Sequence, residues 1–200
     1  MTDPAPPIRD AASVVLVRRD GPTRVLMGMR GAKAAFMASK YVFPGGAVDP
    51  EDFARASTNS GPLAIDSDCP ADAILTCARR ELAEETGLKL SSNSRLHFFF
   101  RAVTPPGRPR RFDARFLLAD ARDLTADPDD FSAACDELSH LHWVRLDEAP
   151  RLDLPFITEV VLAQVASLIP MAGADALVQP SSVPFFDNRD AEPRFTWIGG

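Results

Sequence analysis

Several things are scarce in this sequence, and each scarcity excludes something. No apolar run approaches the roughly 20 residues that a bilayer-crossing helix needs, so no membrane span is expected. The opening MTDPAPPIRD is polar and proline-rich, without the positive start and apolar core of a secretory signal. Cysteine occurs three times, as Cys69, Cys77 and Cys135. An odd number cannot close a fully paired disulfide framework, and the spacings are not those of a metal-ligand pair; a reducing cytoplasm is the expected setting. Basic charge is also short: 22 Lys and Arg against 28 Asp and Glu leave a formal charge of −6. A general nucleic-acid binder would need a basic stripe to displace counterions. Any anionic ligand must therefore be met locally, by a metal ion or a few arginines.

What is present is a chain of 200 residues, the length of one substantial domain, with strand and helix patterns interspersed. The continuous β-branched run from Ala11 to Val17 and the stretch Arg24 to Met29 flank the turn Asp20-Gly21-Pro22 and predict a hairpin. Tyr41-Val42-Phe43 is a short strand stopped by Pro44, after which Gly45 and Gly46 let the backbone turn or approach a ligand closely. About 51–69 is rich in Ser, Thr, Asn, Asp, Gly and Pro and predicts an insertion with at most a helical turn near Asp52 to Ala56. A helix follows over about Pro70 to Thr86, with Asp68 available to its free N–H groups and Gly87 suited to its C-terminal cap. Strands are expected at Leu96 to Val103, Arg111 to Ala119 and His142 to Arg145, and a helix over Pro155 to Ile169. The tail, about 171–200, shows no legible pattern.

The central helix carries the chemistry. Ala71, Ile74, Leu75, Ala78 and Leu82 form one apolar stripe at 3.6-residue spacing, and Glu85 falls inside it. Glu81 lies one turn before Glu85 and three residues before Glu84, so three carboxylates share one edge of the stripe. They repel one another, and the macrodipole disfavours negative charge in a helix's last turns. The acids either form a solvated face or hold a cation. A carboxylate turned toward the core needs a cation or a proton, and Arg79 and Arg80 could supply part of the charge. Clustered hard oxygen donors on one rigid element suit Mg²⁺ or Mn²⁺ rather than zinc. Arg108, Arg110 and Arg111, beside the turn Thr104-Pro105-Pro106-Gly107, are either solvated loop arginines or a phosphate clamp suited to guanidinium's planar fork. His97, His140 and His142 and the run Phe98 to Phe100 read as packing residues rather than ligands or a stacking platform.

Arg80-Glu81-Leu82-Ala83-Glu84-Glu85-Thr86-Gly87-Leu88 matches the second half of the Nudix signature at every specified position, and Phe43-Pro44-Gly45-Gly46 resembles the strand-to-loop segment that precedes it. With Gly46 as the signature glycine, the first acidic position falls at Asp52, with Glu51 beside it. The usual short gap before Arg80 is replaced by 27 residues, a departure similar to the long-insert coenzyme A diphosphatase branch, to which Phe36 to Ser39 and Phe43 to Asp49 also bear likeness. The resemblance covers about residues 8–170. It implies an α/β (α+β) fold, an α/β/α sandwich around a mixed β-sheet with a loop-helix-loop catalytic box.

It further implies that Glu81, Glu84 and Glu85, with a backbone carbonyl of Gly46 or Gly45, bind Mg²⁺ or Mn²⁺ and that Arg80 orients the carboxylates. Family members differ on whether a box glutamate such as Glu84 or a later loop acid serves as general base; Glu137 is the loop candidate here. Substrate contacts are expected from Arg30 and the segment through Lys40, and from Arg108, Arg110 and Arg111. The implied activity is hydrolysis of coenzyme A or acyl-CoA to 3′,5′-ADP and a phosphopantetheine fragment. An ADP-ribose or dinucleotide diphosphatase would share the same box, and a non-catalytic nucleotide sensor is the reading of another class. The expected partner is a small nucleotide diphosphate, with no nucleic acid and no membrane. A homodimer is implied by family habit, with Phe185, Phe186 and Trp197 of the tail covering a partner or their own sheet.

Overall fold

A computed structural model describes residues 6–34, 36–54, 62–170, 176–190 and 192–199. Its nine strands belong to one mixed sheet, ordered β3-β2-β1-β6-β5-β8-β9 along the main path, with β4 pairing β1 and β7 pairing β2. The spans are β1 Ile8–Arg18, β2 Arg24–Arg30, β3 Tyr41–Val42, β4 Gly45–Ala47, β5 His97–Val103, β6 Arg111–Asp120, β7 Leu138–Arg145, β8 Ser182–Asp187 and β9 Arg194–Gly199. The helices are α1 Pro50–Phe53, α2 Ala71–Thr86 and α3 Phe156–Leu168.

β1 is apolar on both faces because it lies at the centre. Ala12, Val14 and Leu16 pack with Ile74, Ala78 and Leu82 of α2, whereas Val15 and Val17 join Val161, Leu162 and Val165 of α3. Alternate side chains of a strand point to opposite faces, so a strand covered by a helix on each side reads as a continuous apolar run. The predicted sandwich is the observed one, and Phe98, Phe99 and Phe100 are core residues.

Several expectations need correction. Gly45 and Gly46 form no loose turn: with Ala47 they pair antiparallel to Ser13, Ala12 and Ala11, which straps the segment to the central strand. Asp68 does not cap α2. Pro70 occupies the N-cap without a side-chain hydrogen bond, and its carbonyl accepts from the N–H groups of Ala73 and Ile74. Gly87 closes the other end as expected, left-handed at φ 76°, its N–H bonded to the Ala83 carbonyl. Arg79 turns away from the acids to Ser91 and Ser94. The tail is ordered as the β8–β9 hairpin, whose Phe185 is buried against the sheet while Trp197, on the outer strand, is exposed. His140 and His142 lie on β7 as strand residues, exposed, with His142 edge-on to Tyr41. The helical turn expected near Asp52 is α1; the expectation for residue 55 onward, to residue 61, lies outside the described residues.

A buried ionic cluster holds the insertion and the tail to the sheet. Arg101 and Arg115 are directly opposite on β5 and β6 and fully buried, an arrangement that like charges disfavour. Asp113 relieves it. It accepts both forks of Arg101 at 2.8 and 2.7 Å, lies 3.4 Å from Arg115 and accepts from Arg189 of the tail at 3.0 Å. Burial alone would raise its pKa, but the hydrogen bonds of Arg101, with Arg115 and Arg189, hold its carboxyl below the usual range. The same arginines donate to carbonyls of the returning insertion: Arg101 to Ile65, Arg115 to Leu63 and Arg189 to Asp66. Replacing Asp113 by Asn leaves buried guanidiniums facing one another, and should lower the unfolding free energy by about 3–5 kcal/mol in urea titration, the usual cost of breaking a buried pair.

Candidate active site

One end of α2 faces β4 across the start of the sheet, and helical spacing sorts the three carboxylates by depth. Glu85 points into the core and is 1 % exposed. Its Oε2 accepts the Gly45 N–H at 2.7 Å, while its Oε1 is buried without a partner among the described residues. Glu81 sits at the edge, its side chain 12 % exposed, and Glu84 projects outward. Desolvation raises the pKa of Glu81, against the attraction of Arg80. Desolvation raises that of Glu85 to about 8, against the Gly45 hydrogen bond and Arg30.

Gly46 leaves room for the Glu81 carboxylate, which a Cβ would displace. A Cβ there would lie 2.3 Å from Glu81 Oε1, and one on Gly45 would lie 2.3 Å from the Ala12 carbonyl. Glycine at both positions lets strand and carboxylates meet.

Arg80 fastens the assembly. Its Nε and Nη2 bind the two oxygens of Asp52 at 3.0 and 2.8 Å, Nη2 also reaches the Ala47 carbonyl at 3.2 Å, and Nη1 reaches Glu81 at 2.9 Å and Glu84 at 3.2 Å. The hydrogen bonds to Asp52 raise the pKa of Arg80 further above its already high value. Asp52 is 1 % exposed, and it also accepts the Asp49 N–H at 2.9 Å. Counting five residues on from Gly46 reached Asp52, but only the fold brings it against Arg80 across the insertion. Its neighbour Glu51 is exposed.

The fit to a divalent ion can be judged from these groups. Among the described residues no three His, Cys, Asp or Glu side chains stand ready as a ligand cluster; Glu84 is bonded to Arg80. The donor chemistry nevertheless suits a hard cation: a buried carboxylate oxygen without a partner, a second carboxylate at the edge and a third within reach on the same helix. The Gly46 carbonyl belongs to the β4–β1 ladder opposite Ala12 and also receives a 3.6 Å contact from the Cys77 thiol, and the Gly45 carbonyl accepts from Arg30. Burial pushes the Cys77 thiol far up and the Cys69 thiol up to about 11, so neither of these buried cysteines offers a thiolate here.

Beside the carboxylates opens a cavity of about 520 Å³, with Gly45 and Gly46 in its wall. Phe36, Phe43, Phe112, Phe116, Phe156 and Phe186 give it an aromatic share of a mainly apolar lining, and Arg30, Lys40 and Arg108 are its cations. An adjoining recess of about 340 Å³ shares Arg30, Phe36 and Phe112 and adds Lys33, Arg110, Asp136 and Glu137. Arg30 and Arg108 thus stand at the chamber and Arg110 in the recess. Arg111 does not: it is buried, lines neither space, and donates to the carbonyls of Thr104, Asn188 and Arg189. A guanidinium committed to three carbonyls fixes the turn instead of offering a fork to a ligand. Sequence reasoning missed the aromatic wall, whose members are scattered from residue 36 to residue 186; Lys40 was only placed within a broad segment.

A family model described as the NUDIX domain matches residues 7–165. The chain belongs to the Nudix family. Among solved structures it is similar to a NUDIX hydrolase from Alicyclobacillus acidocaldarius at 26 % identity and TM-score 0.61, covering 80 % of this chain and 92 % of that one. A MutT NUDIX hydrolase from Burkholderia pseudomallei has 24 % identity and TM-score 0.56, with 80 % and 98 % covered. The NUDIX domain of Shewanella oneidensis NrtR, complexed with ADP ribose, shares the fold at 14 % identity and TM-score 0.52, with 82 % and 89 % covered. No curated protein matches. This protein is a Nudix hydrolase, and among its described residues no helix is long and apolar enough to cross a membrane.

Two measurements follow from the Nudix helix. Gly46→Ala should keep the fold yet lose at least about 100-fold in kcat/KM, the scale of penalty from displacing a catalytic group by about 1 Å; circular dichroism and substrate kinetics together check this. Glu85 binds its proton more tightly folded than unfolded, so without metal its contribution to stability falls as pH rises from the unfolded value, near 4.5, through about 8. The thermal midpoint of metal-free protein should therefore drop over that window. Glu85→Gln should flatten the dependence, and Mg²⁺ should oppose the drop in wild type only.

Proposed function

We propose that this Nudix hydrolase cleaves the diphosphate linkage of a nucleoside diphosphate-X compound, with coenzyme A or an acyl-CoA as the preferred substrate. The products are then 3′,5′-ADP and (acyl)phosphopantetheine. The observation that carries the hydrolytic reading is the unpartnered buried oxygen of Glu85, whose other oxygen holds Gly45 in the wall of a cavity that arginines also line. In this reading Glu81, Glu84 and Glu85, with the Gly46 carbonyl, hold Mg²⁺ or Mn²⁺. A divalent ion held there would supply charge neutralisation at the diphosphate and a lowered pKa for nearby water.

The protein's own groups do the rest. Arg80 orients Glu81 and Glu84 through its anchor on Asp52. Arg30 and Arg108 meet the substrate phosphates, with Arg110 at the recess. Glu137, just ahead of β7, or Glu84 takes the proton as water attacks phosphorus; the new P–O bond forms, the bridging P–O bond breaks, and the phosphorylated fragment departs. The aromatic chamber takes an apolar arm of the substrate. The setting proposed is the cytoplasm, in keeping with three free cysteines, and the assembly a homodimer, for which exposed Phe195 and Trp197 on β9 supply apolar surface.

An ADP-ribose or dinucleotide diphosphatase would use the same helix, and the relative complexed with ADP ribose keeps that reading open. Incubation with Mg²⁺ or Mn²⁺ and CoA, acetyl-CoA, ADP-ribose, NADH or diadenosine polyphosphates should release 3′,5′-ADP from the CoA species, while Glu84→Gln remains silent. Turnover of ADP-ribose alone moves the protein to the sibling activity. Tight metal-dependent binding without turnover makes it a sensor.

A further inference from the structure

Arg30 ends β2 where three structures meet. Its Nη1 donates to Glu137 Oε1 at 2.9 Å and its Nη2 to the Gly45 carbonyl at 3.3 Å, and it lines both the aromatic cavity and the adjoining recess. The Gly45 peptide is held from its other side by Glu85. Glu137 is the more exposed partner, its side chain 55 % open against 20 % for Arg30. The loop candidate for the base is therefore tied to a cation that lines both spaces open to a substrate phosphate. An exposed carboxylate–guanidinium pair is weak, whereas a diphosphate presents several charged oxygens to the same fork and repels the neighbouring carboxylate.

We propose that Arg30 is a positioning residue that holds Glu137 aside in the resting enzyme and releases it when a substrate phosphate takes its place on the guanidinium. The inference rests on the diphosphate-cleaving reading above. Once free, the Glu137 carboxylate accepts a proton from the attacking water while that oxygen bonds to phosphorus and the bridging P–O bond breaks. The Gly45 contact keeps Arg30 in place during the exchange, so the cation remains at the carboxylate helix. The rival account is that the pair merely fastens two strands, since Arg30 is in register with Leu138, next to Glu137.

The two accounts differ in the sign of one effect. Calorimetry with α,β-methylene-ADP and Mg²⁺ should give a Kd about threefold tighter in Glu137→Gln, because a competitor for Arg30 is weakened. Arg30→Ala should bind about tenfold more weakly, and adding Glu137→Gln to it should change nothing further. With a turned-over substrate, Glu137→Gln should lower kcat about 100-fold without raising KM. An unchanged or weaker Kd in Glu137→Gln, a tightening that persists without Arg30, or an unmoved kcat overturns the proposal. Failure of wild type to hydrolyse any diphosphate would sink the hydrolase reading by itself, because the Kd comparison decides the exchange at Arg30 independently.

Discussion

Asp52 is almost wholly removed from water, and a carboxylate so placed would be costly to ionise unless a cation met it. Arg80 meets it with two parallel hydrogen bonds, and from that fixed point the same guanidinium reaches Ala47 of β4 and both Glu81 and Glu84. The pair therefore joins three pieces of chain that are distant in sequence. Without it, Glu81 and Glu84 would face each other along α2 with no positive charge between them, and like charges at this spacing drive side chains apart. The glycine strand, the insertion's first turn and the carboxylate helix are arranged around this one contact.

A second ionic cluster, around Asp113, performs a different task with similar physics. It binds the returning end of the insertion and the C-terminal hairpin to the sheet. Arg101 also lies 4.4 Å from the centre of the Phe185 ring, so the hairpin covers the cluster with an aromatic face. The interruption of the Nudix signature is tolerated because both ends of the insertion are anchored: Asp52 on Arg80, and Leu63 and Ile65 on Arg115 and Arg101.

The aromatic cavity and the cationic recess share a wall, the edge-to-face pair Phe36 and Phe112, whose centroids are 5.3 Å apart. A substrate with one apolar arm and one charged arm suits two such spaces. On the proposed function the carboxylate helix supplies the chemistry and selectivity is assigned to these walls, which come from β2, the segment after it, the β5–β6 turn, α3 and β8.

Periodicity in the sequence determined α2, its apolar stripe and the inward aim of Glu85, because helix geometry is local and every third or fourth residue returns to one face. The apolar runs determined the central strands, since a strand buried on both sides leaves no polar alternation. The family signature marked Arg80, Glu81, Glu84 and Glu85. The tertiary structure decided the partners. That Arg80 takes Asp52 while Arg79 turns to Ser91 and Ser94, that Arg111 braces a turn while Arg108 faces the cavity, and that the tail pairs with β5 all depend on contacts between distant segments. Adjacent arginines look alike in a sequence; which one finds a carboxylate, a carbonyl or open space is set by the direction of its Cβ and by whatever the rest of the chain brings opposite.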